Sequence, residues 1–338
     1  MVMDVQKIET LPPPPGVFGS LRAGFEVVSG RVALILIPLM LDVFLWLAPR
    51  LSINEMLKPF FQLAFAEARN RVGVSDVEIF LRNQTLFMDR LRDFNLLGLL
   101  SKIQFFPIGV SGLAMQTLPV NTPLGTRILI EQSSVLGVVG LSFLLIAFGW
   151  MCGGLYFRQV SGSVLREDEA GIGLLRAIAQ SFLLSVIWVV ALIVILFPVS
   201  IVVVLVGLLS PVLANIVILV ISFLSFWLIV PLFFMPHGIF MKKQNAFYSI
   251  YSSLRMIRFS LPTSGVFVVS VFLLSRGLDV LWSVPKDDSW LTLVGFAGHA
   301  FITTALLAAS FVYYRDMTDW LQNVYERFQQ INKAPSSI

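Results

Sequence analysis

Four ionisable side chains stand inside apolar runs long enough to cross a bilayer: Asp42, Arg276, Asp279 and His299. Charge is costly in hydrocarbon, so such residues face a protein interior or a water-filled path. There they pair with one another, or they handle a proton, an ion or an anionic headgroup. Counting inward at 1.5 Å per residue from Pro49, Pro285 and Trp290 places them at depths of roughly 10, 13, 9 and 13 Å, in one layer of one bilayer half. Arg276 and Asp279 are three residues apart and can share a helix face. Arg276 is therefore expected to pair with Asp42, Asp279 or both. Two readings follow. In the first, a buried ion-pair network fixes spans one, five and six; it ranks first because an unpaired charge in lipid is the costlier alternative. In the second, the layer is a polar site reached from outside. His299 by itself reads as a helix-contact residue before a proton shuttle.

The elements that carry these residues follow from the apolar runs. From Ala177 to Met241 there is no Lys, Arg, Asp or Glu, and His237 is the one ionisable group. A span needs about 20 apolar residues, so this run crosses twice and turns at Gly207–Pro211. The spans are Phe182–Val206 and Val212–Met235, with Pro198 and Pro231 tolerated inside them. Their many β-branched residues would favour strands in water; in lipid an open strand leaves backbone groups unpaired, and helices win. The remaining spans are Val32–Ala48, Ser133–Phe157, Ser264–Val284 and Trp290–Tyr314. Gly149 and Gly153, and the stripe Gly295, Gly298, Ala305 and Ala309, are spaced for close packing.

Composition agrees. The 338 residues are 57% hydrophobic and 13% charged, with mean hydropathy +0.85; a soluble protein carries about 25% charged residues. The net charge of +4 fits basic loops against anionic lipid, and no basic run interleaved with aromatics points to nucleic acid. Cys152 is the single cysteine and reads as a small buried hydrophobe. One Cys and two His make a dedicated zinc site implausible. Gly171-Ile-Gly173 lacks the third glycine of a dinucleotide fingerprint, and no phosphate loop, His-Glu-x-x-His or Gly-x-Ser-x-Gly is present. No cofactor is expected.

The expected fold is an all-α polytopic membrane protein with about six transmembrane helices, amphipathic interfacial helices and one long helical extracytoplasmic loop. Residues 1–31 form a Pro-rich tail and an interfacial helix, 32–49 the first span and 50–131 the long loop. Residues 132–314 form a five-span domain with cytoplasmic loops at 158–181 and 236–262, and 315–338 an amphipathic tail. In the long loop, Ser75-Asp-Val-Glu78 is a capping box for a helix, and the apolar stretch Phe105–Gly125 lies on the membrane surface or against the spans. Arg158, Arg166, Arg176, Lys242, Lys243, Arg255, Arg258, Arg315, Arg327 and Lys333 collect on one side, while Lys286 alone marks the short turns of the other. Both termini are thus expected in the cytoplasm, with Trp46, Trp282 and Trp290 in the outer aromatic belt and Tyr156, Tyr313 and Tyr314 in the inner one. Three Arg-bearing segments before odd-numbered spans, Ser20–Phe25, Leu174–Ala179 and Ser253–Arg258, raise the idea of a threefold repeat.

The run from Met235 to Arg255, Met-Pro-His-Gly-Ile-Phe-Met-Lys-Lys-Gln-Asn-Ala-Phe-Tyr-Ser-Ile-Tyr-Ser-Ser-Leu-Arg, resembles bacterial multi-spanning families. One of these is the membrane domain found with some glycerophosphodiester phosphodiesterases, where a span is followed by a cytoplasmic elbow helix. Leu41–Arg50 is similar to other bacterial membrane proteins. The resemblance implies a helical fold in a bacterial cell membrane and brings no catalytic motif or site residue. The expected role is a non-catalytic membrane scaffold, subunit or assembly partner. Its partners are the lipid bilayer and a protein met through the cytoplasmic surface helices and the C-terminal helix. The rival is a permease for a small solute, ion or lipid headgroup using the Asp42, Arg276, Asp279, His299 layer. A membrane enzyme ranks third, since no nucleophile and base visibly converge.

Overall fold

A computed structural model gives the tertiary structure and describes residues 13–70, 73, 77–101, 106–117 and 119–333. Residues 1–12 of the Pro-rich tail, the Ser75–Asp76 half of the capping box, Phe105 and residues 334–338 lie outside the described residues. In chain order the helices are α1 (Val17–Gly30), α2 (Leu36–Leu47), α3 (Asn54–Arg69), α4 (Val77–Asp93), α5 (Leu113–Thr117), α6 (Val135–Val164), α7 (Leu174–Leu209), α8 (Pro211–Lys242), α9 (Ala246–Trp282) and α10 (Thr292–Lys333). Short strands β1 (Arg50–Ser52), β2 (Asn121–Thr122), β3 (Gly125–Thr126) and β4 (Leu129–Glu131) pair as β1 with β4, parallel, and β2 with β3, antiparallel.

Helices α6 to α10 are long and apolar enough to cross a bilayer, and a sixth crossing forms if α1 and Val32–Leu47 count as one span bent by 98°. The protein is therefore an all-α, multi-pass membrane protein. The first span differs from the expected single helix over Val32–Ala48. Residues Val32–Ile35 form a 3₁₀ turn before α2. Pro38 has no N–H to give the Leu34 carbonyl, and its ring crowds that carbonyl, so a helix running on from α1 would be broken here. The segment Val32–Leu47 is about 25 Å long, a little short of the hydrocarbon core. The break also separates the three repeat-like segments: Ser20–Phe25 lies in a helix that turns at its end, whereas Leu174–Ala179 and Ser253–Arg258 run into α7 and α9 without interruption. The basic segments expected as loops before spans three and five are likewise helical extensions of those spans.

The chain forms two compact units, which cut across the span-by-span division. The first comprises residues 1–34, 157–276 and 302–338. Its core is aromatic. Phe267 stacks on Tyr313 with ring centroids 4.3 Å apart, and His237 lies 4.6 Å from Phe311 with Nε2 2.8 Å from the Ser310 hydroxyl. Ser249 and Ser253 of α9 donate to the Met235 and Pro231 carbonyls of α8, each at 2.5 Å. Its turns are tied by guanidinium donors: Arg158 to the Ile172 carbonyl (2.8 Å), Arg176 to Lys243 (2.6 Å) and Arg315 to Val164 (2.8 Å). The last two place positive charge at helix C-termini, where the dipole favours it.

The second unit comprises residues 35–156 and 277–301. Phe61, Phe65, Phe80 and Phe87 zip α3 to α4, with Phe61 and Phe87 centroids 4.7 Å apart. Ile108, Val110 and Leu113 are buried, so the apolar loop belongs to the core of this unit. Gly149 and Gly153 admit that loop rather than another helix: a Cβ on Gly149 would stand 2.7 Å from the Leu100 carbonyl, and one on Gly153 2.7 Å from the Gly109 backbone. Trp46 is fully buried between Trp290 and Phe296, its indole N–H donating to the Asp287 carbonyl at 2.9 Å. It serves as core, as do Tyr156, Tyr313 and Tyr314, rather than as an interfacial belt.

In the first unit a Cβ on Gly24 would collide with the Ala305 carbonyl and with Ala309. Gly24→Val is expected to cost about 1–3 kcal/mol of stability by overpacking, read as a lower thermal midpoint in detergent. Gly19→Val, with nothing within 4 Å of a Cβ there, is the control and should leave the midpoint in place.

Candidate functional site

Helix α2 buries one face, made by Pro38, Asp42, Leu45 and Trp46. That spacing is the helical repeat, and it carries Asp42 inward with the tryptophan. The Asp42 side chain has no accessible surface, and its Oδ1 accepts the Ala114 backbone N–H at 2.9 Å. A carboxylate from one helix thus satisfies an otherwise unpaired donor in the first turn of α5. Gly112 makes the approach possible: a Cβ there would lie 2.9 Å from Asp42 Oδ1 and 3.1 Å from the Ser101 hydroxyl. Ser101 donates to the Val110 carbonyl at 3.1 Å and holds the same loop. The other oxygen, Asp42 Oδ2, is buried with no hydrogen-bond partner among the described residues.

The ends of α9 and α10 supply the rest. Asp279 Oδ1 lies 2.7 Å from His299 Nδ1, with His299 wholly inaccessible and Asp279 8% exposed. On the far side of the imidazole, Nε2 lies 3.4 Å from the hydroxyl of Ser111, which is half-buried in the loop before α5. Asp42 is within electrostatic reach of both His299 and Asp279. Small side chains on α10 let α9 come close: a Cβ on Gly298 would stand 2.5 Å from the Trp282 ring.

Three of the four residues singled out from the sequence, Asp42, Asp279 and His299, therefore meet within the second unit. Arg276 belongs to the first unit; it is exposed, with its guanidinium carbon 5.8 Å from the Phe272 ring centroid. The partner beside Asp279 is His299 rather than Arg276. A step of three residues moves about 60° around a helix, and on α9 it crosses from the exposed face to the buried one. Ser111 and Gly112 escaped the sequence reading. Their one signal is Gly109-Val-Ser-Gly112, an unusually open backbone for an apolar loop.

Two groups of the same unit lie outside the spans. Arg127 donates to the Ala48 carbonyl and the Pro119 carbonyl, both at 2.9 Å, which ties the end of α2 to the β-region. Burial, with the Arg50 charge adding to it, brings this guanidinium down to about 10. Burial also raises the Asp287 carboxyl, and neighbouring Asp288 raises it further. Among the described residues no group of three His, Cys, Asp or Glu could hold a metal ion. What the arrangement offers chemically is a carboxylate, an imidazole and a hydroxyl in line, beside a second carboxylate that caps a helix. No family model, curated protein or solved structure matches this chain.

Replacing Asp42 by Ala leaves the buried Ala114 N–H without its acceptor. This should destabilise the protein by about 1–3 kcal/mol. Asp42→Asn keeps the Oδ1 acceptor and should lose much less. Thermal unfolding of both variants in one detergent gives the comparison, and equal losses would remove the cap from the explanation.

Proposed function

We propose that this protein is a membrane scaffold, subunit or assembly partner of a bacterial cytoplasmic membrane, with both termini in the cytoplasm. The observation that carries the reading is the hairpin of α7 and α8. In the most apolar 18-residue stretch of α7 no residue is buried by the rest of the chain, against 56% in α10. Val190, Ile193, Val194, Phe197, Val204 and Leu205 are exposed around the helix. A helix apolar on every side has no preferred lipid face, and it can accept the span of another protein without leaving a polar group unpaired. Support for the orientation comes from Arg158, Arg166, Arg176, Lys242 and Arg315, which lie at helix ends or turns of the first unit and there bind carbonyls or Asp319. The rival permease reading rests on the Asp42, Asp279, His299 layer, where Asp42 already holds the first turn of α5 and His299 is engaged by Asp279, so that reading has less support.

Purification in native membrane discs tests the proposal. A discrete complex larger than one chain is expected, and bulky substitutions on α7, Val194→Trp with Leu205→Trp, should dissolve it while the chain itself stays folded. A lone chain carrying lipid only, at every protein-to-lipid ratio, would sink the reading.

A further inference from the structure

Beyond a scaffolding role, carried by the α7–α8 hairpin in the first unit, we propose that the second unit holds a serine nucleophile site formed by Ser111, His299 and Asp279. Its substrate class is an uncharged acyl ester of the kind that partitions into a membrane.

The geometry is that of a base-activated hydroxyl. Asp279 Oδ1 sits 2.7 Å from His299 Nδ1, so the carboxylate holds the imidazole in the tautomer with its proton on Nδ1. Nε2 is then an acceptor, and it lies 3.4 Å from the Ser111 hydroxyl. Nucleophile-to-base contacts of this length are common before a substrate is bound. Burial is graded in the same order: His299 is inaccessible, Asp279 nearly so, and Ser111 is half-buried at the end of the line. The Ser111 hydroxyl stands at the imidazole nitrogen opposite the one that Asp279 holds. The structural duty in this cluster already falls to Asp42, which holds the first turn of α5 through Ala114. The substrate class follows from the surroundings. Ser111 follows buried Val110 and stands two residues before buried Leu113, and in such apolar surroundings a neutral ester gives up less hydration than a charged one would.

The reaction balances without a metal or a redox partner. The Ser111 oxygen bonds to the ester carbonyl carbon while its proton passes to His299 Nε2. The carbon–oxygen bond to the alcohol breaks, and the alcohol leaves with that proton. Water, the second substrate, then gives one proton to His299, and its oxygen bonds to the acyl carbon. The acid departs as Ser111 recovers the proton. Asp279 touches no substrate and acts as the positioning residue.

A fluorophosphonate reporter reads this directly on the full-length protein in detergent, since it phosphonylates an activated serine and leaves ordinary hydroxyls alone. The expected result is a single adduct that peptide mapping places on Ser111, absent from Ser111→Ala. Labelling should slow by at least about 100-fold in His299→Gln, the usual contribution of a general base. Because His299→Gln removes a buried partner and can unfold the protein, the wild-type adduct carries the decision. Asp279→Asn, which retains the side-chain shape, should lower the labelling rate without changing the labelled residue. No adduct on Ser111 in wild-type protein whose thermal transition is intact would overturn the site, as would Ser111 labelling at an unchanged rate in folded His299→Gln.

Discussion

Hydrocarbon offers no hydrogen bonds, and this governs the structure from backbone to side chain. Each N–H and C=O of α6 to α10 must be paired inside its own helix. Hydroxyls buried among them do the same, as Ser181 does with the Ala177 carbonyl at 2.7 Å and Ser260 with the Met256 carbonyl at 2.9 Å. What a helix cannot satisfy internally is its first turn of N–H groups and any ionisable side chain it carries inward. Those two deficits answer each other in this protein. Asp42 needs a donor, the first turn of α5 needs an acceptor, and the fold places one against the other.

The long segment between α2 and α6 is therefore more than a connection. It folds back into the second unit, supplies Ala114 to Asp42 and Ser111 to His299, and fills the space left by Gly149 and Gly153. Irregular backbone is tolerated at such a place when its polar groups are paired by protein. Asn95 shows how: its side-chain oxygen accepts from Leu51 at 3.0 Å and Leu97 at 3.2 Å, fixing β1 and the following turn together. Helices alone could have buried the apolar surface. They could not have brought a loop hydroxyl to an imidazole.

The two units differ in what they protect. The first is a set of aromatic contacts around His237, with cations tying its turns, and its α7–α8 hairpin leaves apolar faces uncovered. The second buries carboxylates, an imidazole and a tryptophan that donates to a loop carbonyl. Buried polar groups contribute to stability when fully partnered and are costly when one partner is lost. Loss of a partner in the Asp42, Asp279, His299 cluster is thus costly, and its chemistry depends on a handful of directions being right.

How much was legible in advance divides along a physical line. Transfer from water to oil is a property of local composition, so the apolar runs alone marked α6 to α10 and the turn at Ser210. The cost of charge in oil alone marked Asp42, Arg276, Asp279 and His299 as inward-facing, and all but Arg276 are buried. Pairing is another matter, because it depends on the rotation of each helix about its axis and on residues far away in the chain. Arg276 and Asp279 look like natural partners three residues apart, yet α9 turns one outward and the other toward α10. The core position of Trp46 and the arrival of Ser111 beside His299 were set in the same way, by packing between distant segments, which no local pattern of residues encodes.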